Sequence, residues 1–154
     1  MRLMKDKVKR KKILHIINSL DVGGAEMMLF KLISKENSQF KYEIISLSSF
    51  GKLQNNFNLK GIKVYNLNLN KSFINLFTLP LKLFLIFKKT KPEIIQGWMY
   101  HGNIVAFICK YFFSKKSVLF FNVRQSFYGY MNEKYITRIL IKYNSYLSNS
   151  NFLN

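Results

Sequence analysis

The sequence predicts an α/β domain, a Rossmann-like parallel sheet with helices on both faces. Three observations carry this. Short apolar runs of strand length alternate with stretches of helical periodicity along the chain, the pattern of repeated βαβ units. The connections are short, so each helix returns the chain to a parallel neighbour through a right-handed crossover. Polar and aromatic residues gather just after the apolar runs, where open α/β sheets bind ligands. With 154 residues, 49% of them apolar, the chain fits one domain with a sizeable core.

Residues 1–12 read as a flexible basic arm and 13–154 as the domain. Ile13 to Ile17 is a first strand. The loop Asn18–Gly24 ends in the pair Gly23-Gly24, and a helix begins at about Ala25. Its apolar residues Ala25, Met28, Leu29, Leu32 and Ile33 recur at i, i+3, i+4, i+7 and i+8, one face of a helix. Tyr42 to Ser48 is a second strand. Ser49 to Lys60 is a loop or short irregular helix, and Ile62 to Leu67 a third strand. Leu76 to Lys89 is helical, with Leu76, Leu79, Leu83, Phe84 and Phe87 on one side. Pro80 moves its start toward Thr78, because proline is tolerated only in a first turn. Its lysines leave two roles open, a crossover helix covering the sheet or a basic membrane-surface helix.

Ile94 to Gly97 is a fourth strand and Trp98 to Asn103 a loop. Ile104 to Phe113 is a helix with Ile104, Phe107, Ile108, Tyr111 and Phe112 on its inner face. Ser117 to Val123 is a fifth strand and Arg124 to Met131 a loop. Asn132 to Tyr146 is a last helix, with Ile136, Ile139, Leu140 and Tyr143 facing inward. Residues 147–153 have the composition to open a sixth strand.

The formal net charge is +18, mostly from lysine. A surface this basic is drawn to anionic lipid or nucleic acid, more weakly as salt rises. No nucleic-acid reading motif accompanies the charge, so no specific nucleic acid is expected. Cys109 is the single cysteine, which excludes an internal disulfide and suits a reducing cytoplasmic setting. Two histidines and one cysteine are too few for an ordinary zinc site, so no metal is expected. The apolar run after the arm is too short for a signal peptide, and no window has the length of a membrane span.

The Gly23-Gly24 loop carries the chemistry. Two glycines let bare backbone approach a ligand, and the first helical amides have no partner inside the helix. Such a place favours phosphate or another oxygen-rich group. A tight turn with no ligand is the plainer alternative. The spacing is not G-x-G-x-x-G, so a nicotinamide or flavin cofactor is not indicated.

Three segments together resemble the N-terminal half of a GT-B-type, family 4 glycosyltransferase. They are Leu14-His15-Ile16-Ile17 leading into Val22-Gly23-Gly24-Ala25-Glu26, then Ile95-Gln96-Gly97-Trp98-Met99-Tyr100-His101-Gly102-Asn103, then Asn122-Val123-Arg124-Gln125-Ser126. The resemblance implies half of a GT-B fold: an acceptor-side domain facing a donor domain that binds a nucleotide-sugar, with sugar transfer between them at retained configuration. It implies no cofactor beyond the nucleotide-sugar co-substrate. Gly23 and Gly24 would lie against the donor phosphates or the transferred sugar. His101, the catalytic candidate, would hydrogen-bond the sugar or the acceptor, and Arg124 and Ser126 would face the acceptor. Glu26 in the first turn suits the helix dipole. Trp98, Tyr100 and Tyr128 would either stack on a sugar or pack in the core, and Asn103 belongs to the same segment as His101.

The family's paired-glutamate segment, which belongs to the donor domain, has no counterpart here. The expectation is therefore a truncated product or one half of a split enzyme, completed by a C-terminal half on another chain. Its acceptor would be a cell-surface polysaccharide or lipid-linked glycan, reached from the inner face of the cell membrane, whose anionic surface is a further expected partner. An inactive remnant, or a membrane-adherent interaction domain without catalysis, is the alternative.

Overall fold

The structure, a computed structural model, describes residues 10–35, 39–69 and 77–123, together with 138, 139, 141–143, 145 and 146. The elements are β1 (Lys11–Ile17), α1 (Gly24–Ser34), β2 (Phe40–Ser46), α2 (Gln54–Leu59), β3 (Lys63–Asn66), α3 (Leu79–Thr90), β4 (Ile94–Trp98), α4 (Met99–Phe113) and β5 (Val118–Asn122). The five strands form one parallel sheet in the order β3-β2-β1-β4-β5. The predicted Rossmann-like α/β class is the class observed.

The chain builds outward from β1 in one direction, then returns to β1's other side and builds the opposite way. Right-handed crossovers that travel in opposite directions place their helices on opposite faces. Two apolar cores follow. On one face Leu29 and Ile33 of α1 and Phe57 of α2 pack with Ile17, Ile44 and Trp98. On the other, Leu83 and Phe87 of α3 and Ala106 and Cys109 of α4 pack with Leu14, Ile16, Ile45, Ile95 and Leu119. Alternate β1 residues thus serve opposite cores, as a strand's two-residue period requires.

Four expectations need correction. Lys11 and Lys12 belong to β1 rather than to a free arm, because their backbone continues the ladder with Phe40 and Lys41. The stretch after β4 is not a loop: α4 begins at Met99, so His101 stands in a helical first turn. No capping side chain marks that start, which is why the sequence hides it. The inner face of α4 is Gly102, Asn103, Ala106 and Cys109, while Ile108, Tyr111 and Phe112 are exposed. The cause is close packing: a Cβ on Gly102 would stand 2.4 Å from the Ile16 carbonyl oxygen. Only small side chains fit against the sheet there, and the large ones turn outward. Finally, Ile139 and Tyr143 are exposed rather than inward, whereas Ile136, Leu140 and residues 147–153 lie outside the described residues.

Proline and lysine placement fits the local rules. Thr78 stands at the N-cap position of α3 without a side-chain cap hydrogen bond, and Pro80 occupies the first turn, where a missing N–H costs nothing. Each crossover helix runs back toward the strands' amino ends, and Lys31, Lys88, Lys89 and Lys110 lie in the last turns of α1, α3 and α4. There they meet the negative ends of the helix dipoles. Arg10, Lys11, Lys12, Lys41 and Lys63 stand at or near the strand starts. The amino-terminal edge of the sheet is therefore strongly basic. Among the described residues, no helix is long and apolar enough to cross a membrane.

Candidate functional site at the β1–β4 switch point

β1 and β4 are adjacent and parallel, with Ile16 opposite Gly97, and the strand order reverses between them. A crevice opens at such a reversal because the two following segments diverge to opposite faces. The Gly23-Gly24 loop follows β1 and the His101 turn follows β4, so both leave the same edge of the sheet from neighbouring strands.

The floor of this edge is knit sideways. Beyond the strand ends, Leu47 N–H donates to the Ile17 carbonyl (3.0 Å), Ser48 N–H to Asn18 (2.9 Å), Leu53 N–H to Leu20 (2.8 Å) and Leu69 N–H to Leu47 (2.9 Å). Gly51 presses on this contact: a Cβ there would sit 2.3 Å from the Leu20 carbonyl carbon. The loops after β1, β2 and β3 are thus held to one another by backbone.

Gly23 is the N-cap of α1 in an extended conformation, φ −148°, which any residue adopts. Neither glycine of the pair has a positive φ. A Cβ on Gly24 would meet nothing within 4 Å, and one on Gly23 would run into the Glu26 carboxylate. Nothing among the described residues requires glycine at Gly24. Glu26 folds back over Gly23 and accepts a hydrogen bond from Ser19 Oγ (3.3 Å). Its charge suits the positive end of α1, and it would repel an arriving phosphate.

The β4–α4 junction is strained. Met99 has φ 59°, the left-handed region that costs a non-glycine residue about 1–2 kcal/mol. Such outliers concentrate at functional sites. The turn is held regardless, because Gly102 seats on Ile16 and Asn103 on Gly97, where a Cβ would be 2.6 Å from the Asn103 α carbon. His101, between these anchors, is exposed. Tyr100 and Asn103 are buried. The Asn103 amide oxygen accepts from the Asn122 N–H at 3.4 Å, joining α4 to the end of β5, while its Nδ2 is buried with no partner among the described residues.

Trp98 is 1% exposed, so of its two expected roles the structure gives it packing. Its indole Nε1–H donates to His15 Nδ1 at 3.2 Å. Because indole is a donor only, His15 Nδ1 must be the acceptor, and the imidazole proton sits on Nε2. That Nε2–H is buried without a partner among the described residues. Burial lowers the His15 pKa from its ordinary value to about 3, so the ring is neutral and stacks on Tyr42 with centroids 5.8 Å apart.

The structure thus brings Gly23, Gly24, Glu26, Trp98, Tyr100, His101 and Asn103 to one edge, with Trp98, Tyr100 and Asn103 beneath the surface. Arg124, Ser126 and Tyr128 lie outside the described residues. The loops Ser48–Gly51 and Leu67–Lys71 were legible as polar, but Ser46, Gln54 and Asn66 beside them were not singled out. There the Ser46 and Ser48 hydroxyls are 3.4 Å apart, and Asn66 Nδ2 donates to Gln54 Oε1 at 2.9 Å. The sequence reading also gave His15 no role of its own; a histidine inside an apolar strand run was the available signal. Among the described residues no three or more His, Cys, Asp or Glu gather as a metal site.

No protein-family model matches this chain, and no curated protein matches it either.

Proposed function

We propose that this domain is the acceptor-side half of a retaining, nucleotide-sugar-dependent glycosyltransferase. It works with a donor-binding domain, in the same polypeptide or a second one, at the inner face of the cell membrane. The observation that carries the proposal is the shared edge: the open Gly24 and the exposed His101 leave adjacent strands at the one reversal of strand order. The strained Met99 between Trp98 and His101 supports it.

The chemistry of the edge favours a sugar over a phosphate. Glu26 already places a carboxylate over the glycine pair, with the neutral Ser19 hydroxyl hydrogen-bonded to it. A neutral, hydroxyl-rich ligand pairs with such groups without meeting like charge. Gly24, which needs no side chain for the fold, leaves space for a sugar ring against the backbone. His101 would donate to or accept from a hydroxyl of the transferred sugar or the acceptor as charge develops on the leaving group.

The test joins the chain to a donor domain of a family 4 enzyme and measures transfer of labelled sugar from a panel of nucleotide-sugars to membrane extract. Transfer that falls at least a hundredfold with His101→Ala, in a variant that folds normally, is the expected result. A well-folded fusion inert with every donor would overturn the proposal.

A further inference from the structure

Helices α3 and α4 lie side by side on one face, and each has a second apolar stripe that the sheet does not cover. On α3 it is Leu81, Phe84, Leu85 and then Lys88; on α4 it is Ile108, Tyr111, Phe112 and then Lys115 just past the helix end. The spacing is the same in both, i, i+3, i+4, i+7, which is one helical face. The six apolar residues are 41–68% exposed. Phe113 joins the stripes, with its ring 6.4 Å from Phe84 and 6.4 Å from Phe112. Between them opens a groove of about 340 Å³, lined by Phe84, Phe87, Lys88, Lys91, Phe112 and Phe113. Paired exposed stripes of this kind mark an interaction surface.

We propose that this α3–α4 face, with the basic amino-terminal edge beside it, docks the domain on an anionic lipid bilayer. The proposal deepens the membrane location given above by naming the surface, and its success does not depend on sugar transfer. The aromatic and leucine side chains enter the boundary between headgroups and acyl chains. The lysines ending each stripe extend to the headgroup phosphates, as amphipathic side chains do at an interface.

Charge selects this occupant. Neither helix contains an acidic residue. Lys88, Lys89, Lys91, Lys110, Lys115 and Lys116 cluster at the end of the domain where the stripes finish. At the same edge Lys63 and Lys89 adjoin, and their mutual contact and like charge lower the pKa of Lys63, so cations crowd there without enough anions. A second copy of the chain would bring these lysines against their own kind. A nucleic acid would match the charge but would leave Leu81, Leu85 and Ile108 without the flat π-face that stacks a base.

The geometry also sets an orientation. The α3–α4 face lies along the sheet, and Gly24 and His101 leave the strands' carboxyl ends, so with this face on the bilayer the ligand edge lies beside the membrane surface.

Full-length chain is mixed with phosphatidylcholine vesicles, with and without phosphatidylglycerol, at low and high salt. Phe112→Trp reports the docking face, and Phe50→Trp, 58% exposed in the loop after β2, reports the ligand edge. Trp98 is buried and gives a constant background. The expected result is a blue shift of the Phe112→Trp emission with anionic vesicles only, reversed by salt, and no shift for Phe50→Trp. The double change Lys88→Glu and Lys115→Glu lowers vesicle affinity at least tenfold, since each basic residue near an anionic surface contributes about fivefold. Co-sedimentation without a Phe112→Trp shift overturns the proposal, because another part of the chain then holds the vesicle. So does a Phe112→Trp response to poly-U RNA but not to vesicles, or a shift that depends only on protein concentration.

Discussion

Gly102 and Gly24 both stand in the first turns of helices that follow neighbouring strands, and they are glycine for opposite reasons. Gly102 has backbone in the way: a side chain would strike the Ile16 carbonyl at 2.4 Å. Gly24 has empty space around it and an ordinary backbone. The first glycine is explained by packing within the domain. The second is explained by nothing among the described residues, and that makes it the better marker of something arriving from outside. Sequence alone gives the two the same letter; only the surroundings separate them.

The largest expected effect breaks the packed side of this comparison. Gly102→Ala should destabilise the fold by about 3 kcal/mol or more, since backbone cannot yield as a side-chain tip can. A fall in the midpoint of urea unfolding measures it; an unchanged midpoint would mean that α4 does not seat on β1.

Acid should act next, through His15 under the same junction. Its folded pKa of about 3 lies below the ordinary 6.5, so the unfolded chain binds the proton more readily. The stability this withholds is intact above pH 6.5 and is lost as pH falls toward 3. Between pH 6.5 and 4.5 the loss is about 2–3 kcal/mol. His15→Gln, which keeps an acceptor for Trp98 and carries no titrating ring, should flatten that slope in urea titrations repeated across the window.

Trp98→Phe should cost about 1–2 kcal/mol, because it leaves His15 Nδ1 buried without its donor. Thermal unfolding reads this, and the effect should shrink in the His15→Phe background, where no acceptor is stranded. Smallest of all is Gly24→Ala. With open space and a helical position, it should raise stability by up to about 0.5 kcal/mol. In a donor-domain fusion the same change should weaken sugar transfer. More stable yet less active is the pairing that sharpens the contrast with Gly102.

The strand and helix sequence was legible because β1, β2 and β4 each carry a short apolar stretch, Ile16-Ile17, Ile44-Ile45 and Ile94-Ile95, between helical periodicities. Register and strand order were not, since they depend on pairings between distant segments. The start of α4 was hidden because neither Trp98 nor Met99 is a capping residue. Its orientation was misread because Ile108, Tyr111 and Phe112 repeat at helical spacing just as a buried face does. Hydrophobic periodicity identifies an apolar face but not which of two the sheet will take. Here Gly102, Ala106 and Cys109 take it, because only small residues let α4 come close. At the site, Gly23, Gly24 and His101 were legible as polar punctuation after apolar runs. The burial of Trp98, Tyr100 and Asn103 was not, as it depends on that same close approach.

The pairing of β1 with β4 also has a kinetic side. His15 and Trp98 are 83 residues apart in sequence, with β2, β3 and α1 to α3 in the stretch between them. Closing so long a loop is slow relative to local pairing. A nascent or partly folded chain with only β1 to β3 in place would have a sheet and one apolar core, but no crevice. Ligand affinity should therefore be the last property to appear during refolding, arriving with the quenching or shift of Trp98 emission as it settles beside His15.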